Sequence, residues 1–184
     1  RAAVVQSQVK DRQGDVSGVA TNGSDSRADA NTDLPVIIST PRDKYAPFPL
    51  TDVQEAYWIG RSGAFELGNV ATHGYVELEC TDINVERLNV AWNRLIERHE
   101  MLRAVVLPDG RQQVRERVLP YIIAVLDIRG QAVQEKSAAL DNLRKQLSHQ
   151  IFQPDRWPLF DLRVTQMEDR LFRLHISWDV LMTD

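Results

Sequence analysis

The stretch from Leu171 to Asp179 alternates without a break, and this constrains the fold more than any other feature. Phe172, Leu174, Ile176 and Trp178 fall on one side of an extended strand, and Arg173, His175, Ser177 and Asp179 on the other. The aromatic and aliphatic side has to meet a core. The polar side is open to two readings: a solvent face, which alternation alone favours, or the wall of a polar cleft. The strand ends on a carboxylate, and a second one, Asp184, follows five positions later as the final residue. The chain also opens on Arg1 rather than Met. These two ends lead to the expectation of an excerpt from a longer polypeptide.

Ahead of that strand the chain divides in two. Residues 1–44 contain no aromatic side chain, and Ser, Asn, Asp, Gly, Ala and Thr dominate Gly18 to Asn31. Such a stretch buries too little apolar surface to offset the entropy of ordering, so residues 1–44 are expected to be a flexible interdomain linker. Val36-Ile37-Ile38 is a short apolar patch within it. About 140 residues follow, enough for one core.

The folded part starts near Tyr45. Thr51-Asp52-Val53-Gln54 is a capping-box pattern and predicts a short helix to about Ile59, with Gly60 as its stop. His73 to Cys80 alternates, placing Val76, Leu78 and Cys80 on the expected buried face and Tyr75, Glu77 and Glu79 opposite. Asn84 or Asp82 caps an amphipathic helix whose inward residues are Val85, Leu88, Ala91, Trp92, Leu95 and Ile96, ending near His99. Leu102 to Leu107 and Gln112 to Val118 form a hairpin around Pro108-Asp109-Gly110. Tyr121 to Leu126 is extended, and Gln131 to Gln150 is helical with Leu140, Leu143 and Leu147 inward. Phe160 to Gln166 and Leu171 to Asp179 are strands around Glu168-Asp169-Arg170. Strands and helices mix without a regular βαβ rhythm, so the class is α+β or a mixed-sheet α/β fold.

Composition excludes some functions. A net charge of −4 offers no basic excess for nucleic acid. No apolar run approaches the roughly 20 residues needed to span a bilayer. The single cysteine, Cys80, rules out an internal disulfide, fits a reducing compartment, and reads as a small core hydrophobe rather than a nucleophile. Two carboxylates separated by Val-Leu-Met and a Thr offer too few oxygens for a metal, and His73, His99 and His149 lack ligand spacing. His175 and Asp179 stand roughly 13 Å apart on one strand face, too far to form two arms of a nucleophilic triad. Around Arg98 to Arg103 the bland reading is cations at a helix C-terminus.

Taken in order, the motifs resemble the heterocyclization domains of nonribosomal peptide synthetases, members of the condensation-domain superfamily. Phe48-Pro49-Leu50-Thr51-x-x-Gln54-x-Ala56-Tyr57-Trp58-x-Gly60-Arg61 is similar to their opening motif. Leu67-Gly68-Asn69-Val70 and His73-Gly74-Tyr75 resemble the segment after it. Arg98-His99-x-Met101-Leu102-Arg103 with Asp109-Gly110-x-Gln112 resembles the second motif, and Asp179-x-x-x-x-Asp184 the signature aspartate pair. Ordinary condensation domains carry His-His-x-x-x-Asp-Gly there. Here Asp179 and Val180 stand in the two histidine positions, and valine accepts no proton.

The resemblance implies an α+β, chloramphenicol-acetyltransferase-like lobe with a mixed sheet flanked by helices. Residues 45–184 would be the N-terminal lobe, cut at its C-terminus, of a domain whose C-terminal lobe lies elsewhere. It implies condensation of a carrier-bound acyl group with carrier-bound Cys, Ser or Thr, then cyclodehydration to a thiazoline or oxazoline. The implied partners are upstream and downstream carrier domains, their phosphopantetheine arms, and an adenylation domain, in a bacterial cytosol. No cofactor binds directly, and neither nucleic acid nor membrane is a partner. Asp179 and Asp184 are the candidate catalytic residues, with a structural role as the competing reading. The rival functions are a non-catalytic lobe that only docks carrier domains and a CoA-dependent acyltransferase of the same fold, which the absent histidine opposes.

Overall fold

The computed structural model describes residues 43–61 and 72–183. The expected linker, apart from Asp43 and Lys44, lies outside the described residues, as do Leu67 to Val70 and Asp184.

Two sheets organise the described chain. The smaller is antiparallel with strand order β1-β4-β3, from β1 (Phe48–Pro49), β3 (Ala104–Val106) and β4 (Arg111–Val114). The larger has order β2-β7-β6-β5, from β2 (His73–Thr81), β5 (Ala124–Asp127), β6 (Phe160–Gln166) and β7 (Leu171–Asp179). Its β2–β7 and β6–β7 pairs are antiparallel and β5–β6 is parallel, so the sheet is mixed. The parallel pair is bridged by helix α3 (Val133–Ser148), as a parallel connection requires. Helices α1 (Asp52–Arg61) and α2 (Val85–Arg98) complete the described α-helices.

Helix α2 covers one face of the large sheet. Its Trp92 meets the Phe160 ring edge-on at 5.3 Å, and Ile96, Phe152, Leu159, Phe160 and Met182 form a buried cluster. Val85 and Leu88 pack on Leu162, Val164 and Phe172. Asn84, not Asp82, caps this helix, its side chain accepting from the Arg87 N–H at 2.8 Å. Asp82 instead takes a positive φ of 58° and pairs with Arg170. Arg103 closes the other end: its guanidinium donates to the Ile96, Glu97 and Arg115 carbonyls, satisfying groups that a helix terminus leaves open.

Several expectations need correction. The α1 helix runs through Gly60 to Arg61 rather than stopping. Ala91 and Leu95 are exposed, so the inward stripe of α2 is narrower than its pattern. The first hairpin strand is shorter because Glu100–Arg103 form a 3-10 turn. Cys80 is half-exposed on β2, an edge strand, and is no core residue.

The largest correction concerns the polar faces of β2 and β7. On β7, His175, Ser177 and Asp179 are buried while Leu174, Ile176 and Trp178 are only partly so. On β2, Val76 and Leu78 are 38% and 49% exposed. Helix α3 lies over the polar face: Arg144 donates to both Glu77 oxygens at 2.6 and 2.9 Å, and Leu143 and Leu147 are buried. Around Tyr75, Glu77, His175, Ser177 and Asp179 the polar face is thus an interior layer, while Glu79 at its far end stays exposed.

Candidate functional site

The site grows from one face of α1. The capping box forms: Thr51 N–H donates to Gln54 Oε1 at 3.0 Å, and Gln54 N–H to Thr51 Oγ1 at 3.2 Å. Gln54, Trp58 and Arg61 then follow at i, i+4 and i+7, one side of a helix. Each reaches a different distant segment. Gln54, 1% exposed, donates Nε2 to the Leu181 carbonyl at 2.7 Å. It also exchanges amide bonds with Gln112 at 3.0 and 3.3 Å. Gln112 in turn donates to the Pro49 carbonyl at 2.9 Å. Trp58 lies over Gly110, whose φ is +79°; a Cβ there would sit 3.2 Å from the indole nitrogen. Arg61 reaches Asp179.

The Asp179 carboxylate is 1% exposed and fully engaged. Arg61 Nη2 donates to Oδ1 at 2.9 Å and Oδ2 at 2.8 Å, and the Leu181 N–H donates to Oδ1 at 3.0 Å. Asp179 so caps the 3-10 turn Val180–Met182 that leads away from β7. The strand end is fixed further by Asp179 N–H to the Leu159 carbonyl and Val180 N–H to the Thr72 carbonyl. Arg61 Nε and Nη1 are buried and have no hydrogen-bond partner among the described residues.

His73 stands opposite Asp179 across the β2–β7 pair. Its Nε2 lies 2.8 Å from Ser177 Oγ, a hydroxyl that also has the Gln150 Oε1 at 3.1 Å and the Leu147 carbonyl at 3.4 Å as acceptors. Burial lowers the His73 pKa, and the Asp179 charge opposes that shift. Ser177 is wholly buried and presents no accessible nucleophile.

His175 belongs to a separate network. Its Nε2 is 3.0 Å from Thr165 Oγ1 and its Nδ1 2.9 Å from Tyr75 Oη. The Tyr75 hydroxyl donates to Glu77 at 2.8 Å, so Nδ1 is the protonated nitrogen and Nε2 accepts from Thr165. Burial lowers the His175 pKa to about 4, keeping the ring neutral; Glu77 pulls it up, while Arg173, Arg144 and Arg163 add to the lowering. Its bonds go to Thr165 and Tyr75 and those of Asp179 to Arg61 and Leu181, in keeping with their separation along the strand.

Of the two aspartates singled out in the sequence, Asp179 sits at the junction of α1, β2 and β7, and Asp184 lies outside the described residues. From the sequence, Gln54 has a task only as the capping-box partner of Thr51, and Arg61 and Gln112 stand within motifs without one. The signal for Gln54 and Arg61 was available: two polar residues sharing with Trp58 the inward side of a short helix. Nothing in the sequence points from Gln54 to Gln112.

A family model described as "Condensation domain" matches residues 46–180. The chain belongs to the condensation-domain family. Phenyloxazoline synthase MbtB of Mycobacterium sp. (strain MCS) is 35% identical over 176 residues, covering 96% of this chain and 14% of that protein. Pyochelin synthetase PchE of Pseudomonas aeruginosa is 35% identical over 149 residues, 81% of this chain and 10% of that protein. Among solved structures, the EpoB cyclization-docking bidomain of a nonribosomal peptide synthetase from Sorangium cellulosum superposes with a TM-score of 0.74 at 38% identity, over 79% of this chain and 29% of that one. The chain therefore spans a small part of the relatives it matches. These matches bear out the resemblance to heterocyclization domains and the α+β, acetyltransferase-like class read from the motifs. Among the described residues no helix is long and apolar enough to cross a membrane.

Proposed function

We propose that residues 45–184 form the N-terminal lobe of a heterocyclization domain, one that joins a carrier-bound acyl group to carrier-bound Cys, Ser or Thr and cyclodehydrates the product. The observation that carries this reading is the end of β7. Val180 occupies the position where a condensation-type histidine would act, and its neighbour Asp179 is locked to Arg61. No proton acceptor is left in the histidine pair's place, which disfavours plain condensation and acyltransferase chemistry.

Ring closure forms a C–S or C–O bond from the acceptor side chain to the new amide carbonyl carbon. The S–H or O–H proton of the nucleophile passes to the carbonyl oxygen, which takes one further proton and leaves as water, and loss of the amide N–H proton completes the C=N bond. Positioning of the nucleophile supplies much of the rate. Proton delivery to the departing hydroxyl falls to Asp184 in this reading, because both Asp179 oxygens already accept hydrogen bonds from Arg61 and Leu181. Asp179 is the residue that holds the turn. The substrates arrive on phosphopantetheine arms of upstream and downstream carrier domains, in a synthetase that also contains the C-terminal lobe and an adenylation domain.

The test is intact-mass analysis of the downstream carrier, after mixing the complete protein that contains this chain with a loaded upstream carrier and a cysteine-loaded downstream carrier. Acyl transfer with loss of one water is expected. Transfer without water loss would mean plain condensation, and no transfer with validated carriers would favour a lobe that only docks carriers.

A further inference from the structure

Three segments far apart in the sequence meet at one buried amide. Gln54 of α1 touches Gln112 of β4 and the Leu181 carbonyl beyond β7. Leu181 is the middle residue of the 3-10 turn that starts at Asp179. Its N–H is held by the Asp179 carboxylate and its carbonyl by Gln54. Both polar groups of that one residue are therefore fixed by side chains, one from α1 and one from the end of β7. The direction in which the chain leaves Asp179 follows from this pinning.

We propose that Gln54 is a positioning residue for the stretch after Asp179, setting through the Leu181 carbonyl the course of the turn Val180–Met182, which precedes Asp184 in the sequence. The proposal rests on the heterocyclization reading. Gln112 fixes the Gln54 amide: it takes one bond from Gln54 and returns another, and its own amide is tied to Pro49. A flipped or rotated Gln54 would lose the Gln112 pairing, the Thr51 cap and the Leu181 bond together, so one orientation is favoured. Trp58 and Arg61, on the same helix face, hold α1 in place at Gly110 and Asp179. Helix α1 thereby acts as a brace for the turn, and Gln54 is its point of contact.

Two variants separate positioning from mere packing. Gln54→Met loses the Leu181 bond and the Gln112 pairing. Gln112→Met loses the same pairing and the Pro49 bond but leaves Gln54 free to hold Leu181. Both are made in the complete protein, checked by thermal unfolding, and assayed by following acyl transfer and water loss separately on the carrier. A misplaced catalytic group can cost about 100-fold in rate, so Gln54→Met should slow water loss by about that factor while acyl transfer and the KM for the loaded carrier stay near wild type. Gln112→Met should stay within about threefold of wild type in both steps, there being no direct bond from it to the turn. The double variant Gln54→Met/Gln112→Met, which leaves neither side-chain amide buried without its partner, should keep the fold and show the Gln54→Met defect. Equal losses in the two single variants, scaling with their thermal midpoints, would overturn the proposal, as would wild-type water loss in Gln54→Met. A wild type that transfers acyl groups without losing water would overturn the heterocyclization reading itself, and this inference with it.

Discussion

At the scale of single residues, Asp179 and Arg61 are the costliest groups to disturb. Their side chains are 1% and 9% exposed. Removing one member of a buried ion pair strands the other charge, which costs about 3–5 kcal/mol. Asp179→Ala should therefore lower the unfolding free energy by about that amount, measured by urea titration. Replacing both as Arg61→Met/Asp179→Leu should recover part of the loss, since no charge is left buried. A loss in the double variant equal to that in Asp179→Ala would show that the pair itself is not the source. His175 offers a second test. Its pKa is lowered from 6.5 to about 4, chiefly by burial, with Glu77 of β2, Arg163 of β6, Arg144 of α3 and Arg173 of its own strand around it. Below pH 6.5 the unfolded chain takes up a proton that folded His175 refuses, so stability is full above 6.5 and falls as pH drops toward 4. The thermal midpoint of His175→Asn should fall less steeply across that window than the wild type's. Identical slopes would count against a neutral buried ring. The sequence marked Asp179 as special, but its role could not be read there, because the partner is 118 positions away.

At the scale of elements, local signals were legible where the cause is local. The Thr51–Gln54 box, the Asn84 cap and the strands Phe160–Gln166 and Leu171–Asp179 appear as the sequence predicts. Each rests on side-chain chemistry or alternation within a few residues. The burial of β2 from Tyr75 to Leu78 was not legible, because α3, some 60 positions later, supplies Arg144 for Glu77 and inverts the expected faces there. Nor was the reason for glycine at position 74. Gly74 faces Trp178 across the β2–β7 pair, and an added Cβ would lie 2.3 Å from the indole. The ring thus occupies the space a side chain at position 74 would need. Gly74→Ala should destabilise by about 1–3 kcal/mol through overpacking, and Gly74→Ala/Trp178→Leu should be less than additive. Additive losses in a double-mutant cycle would mean the two positions are independent.

At the scale of the molecule, the polar interior layer has a consequence for the surface. With α3 spent on covering Tyr75, Glu77 and His175, apolar side chains remain outside. Leu119 and Ile122 are each 80% exposed, and Val125 and Leu126 are 50% and 39% exposed on β5. They cluster in the segment that enters β5, which ends the large sheet and pairs only with β6 among the described residues. A strand edge with open backbone groups and apolar neighbours is a template for pairing with another chain. The 184-residue chain by itself is therefore expected to associate as its concentration rises, in sedimentation velocity at neutral pH. Val125→Lys places a charge on that edge strand without touching α1 or the Asp179 turn, and should shift the distribution toward monomer at an unchanged thermal midpoint. If the wild-type chain stays monomeric across the accessible concentration range, the exposed edge is not sticky. If Val125→Lys associates as strongly as wild type, the contact lies elsewhere, and Val76 and Leu78 on the opposite edge strand are the next residues to charge.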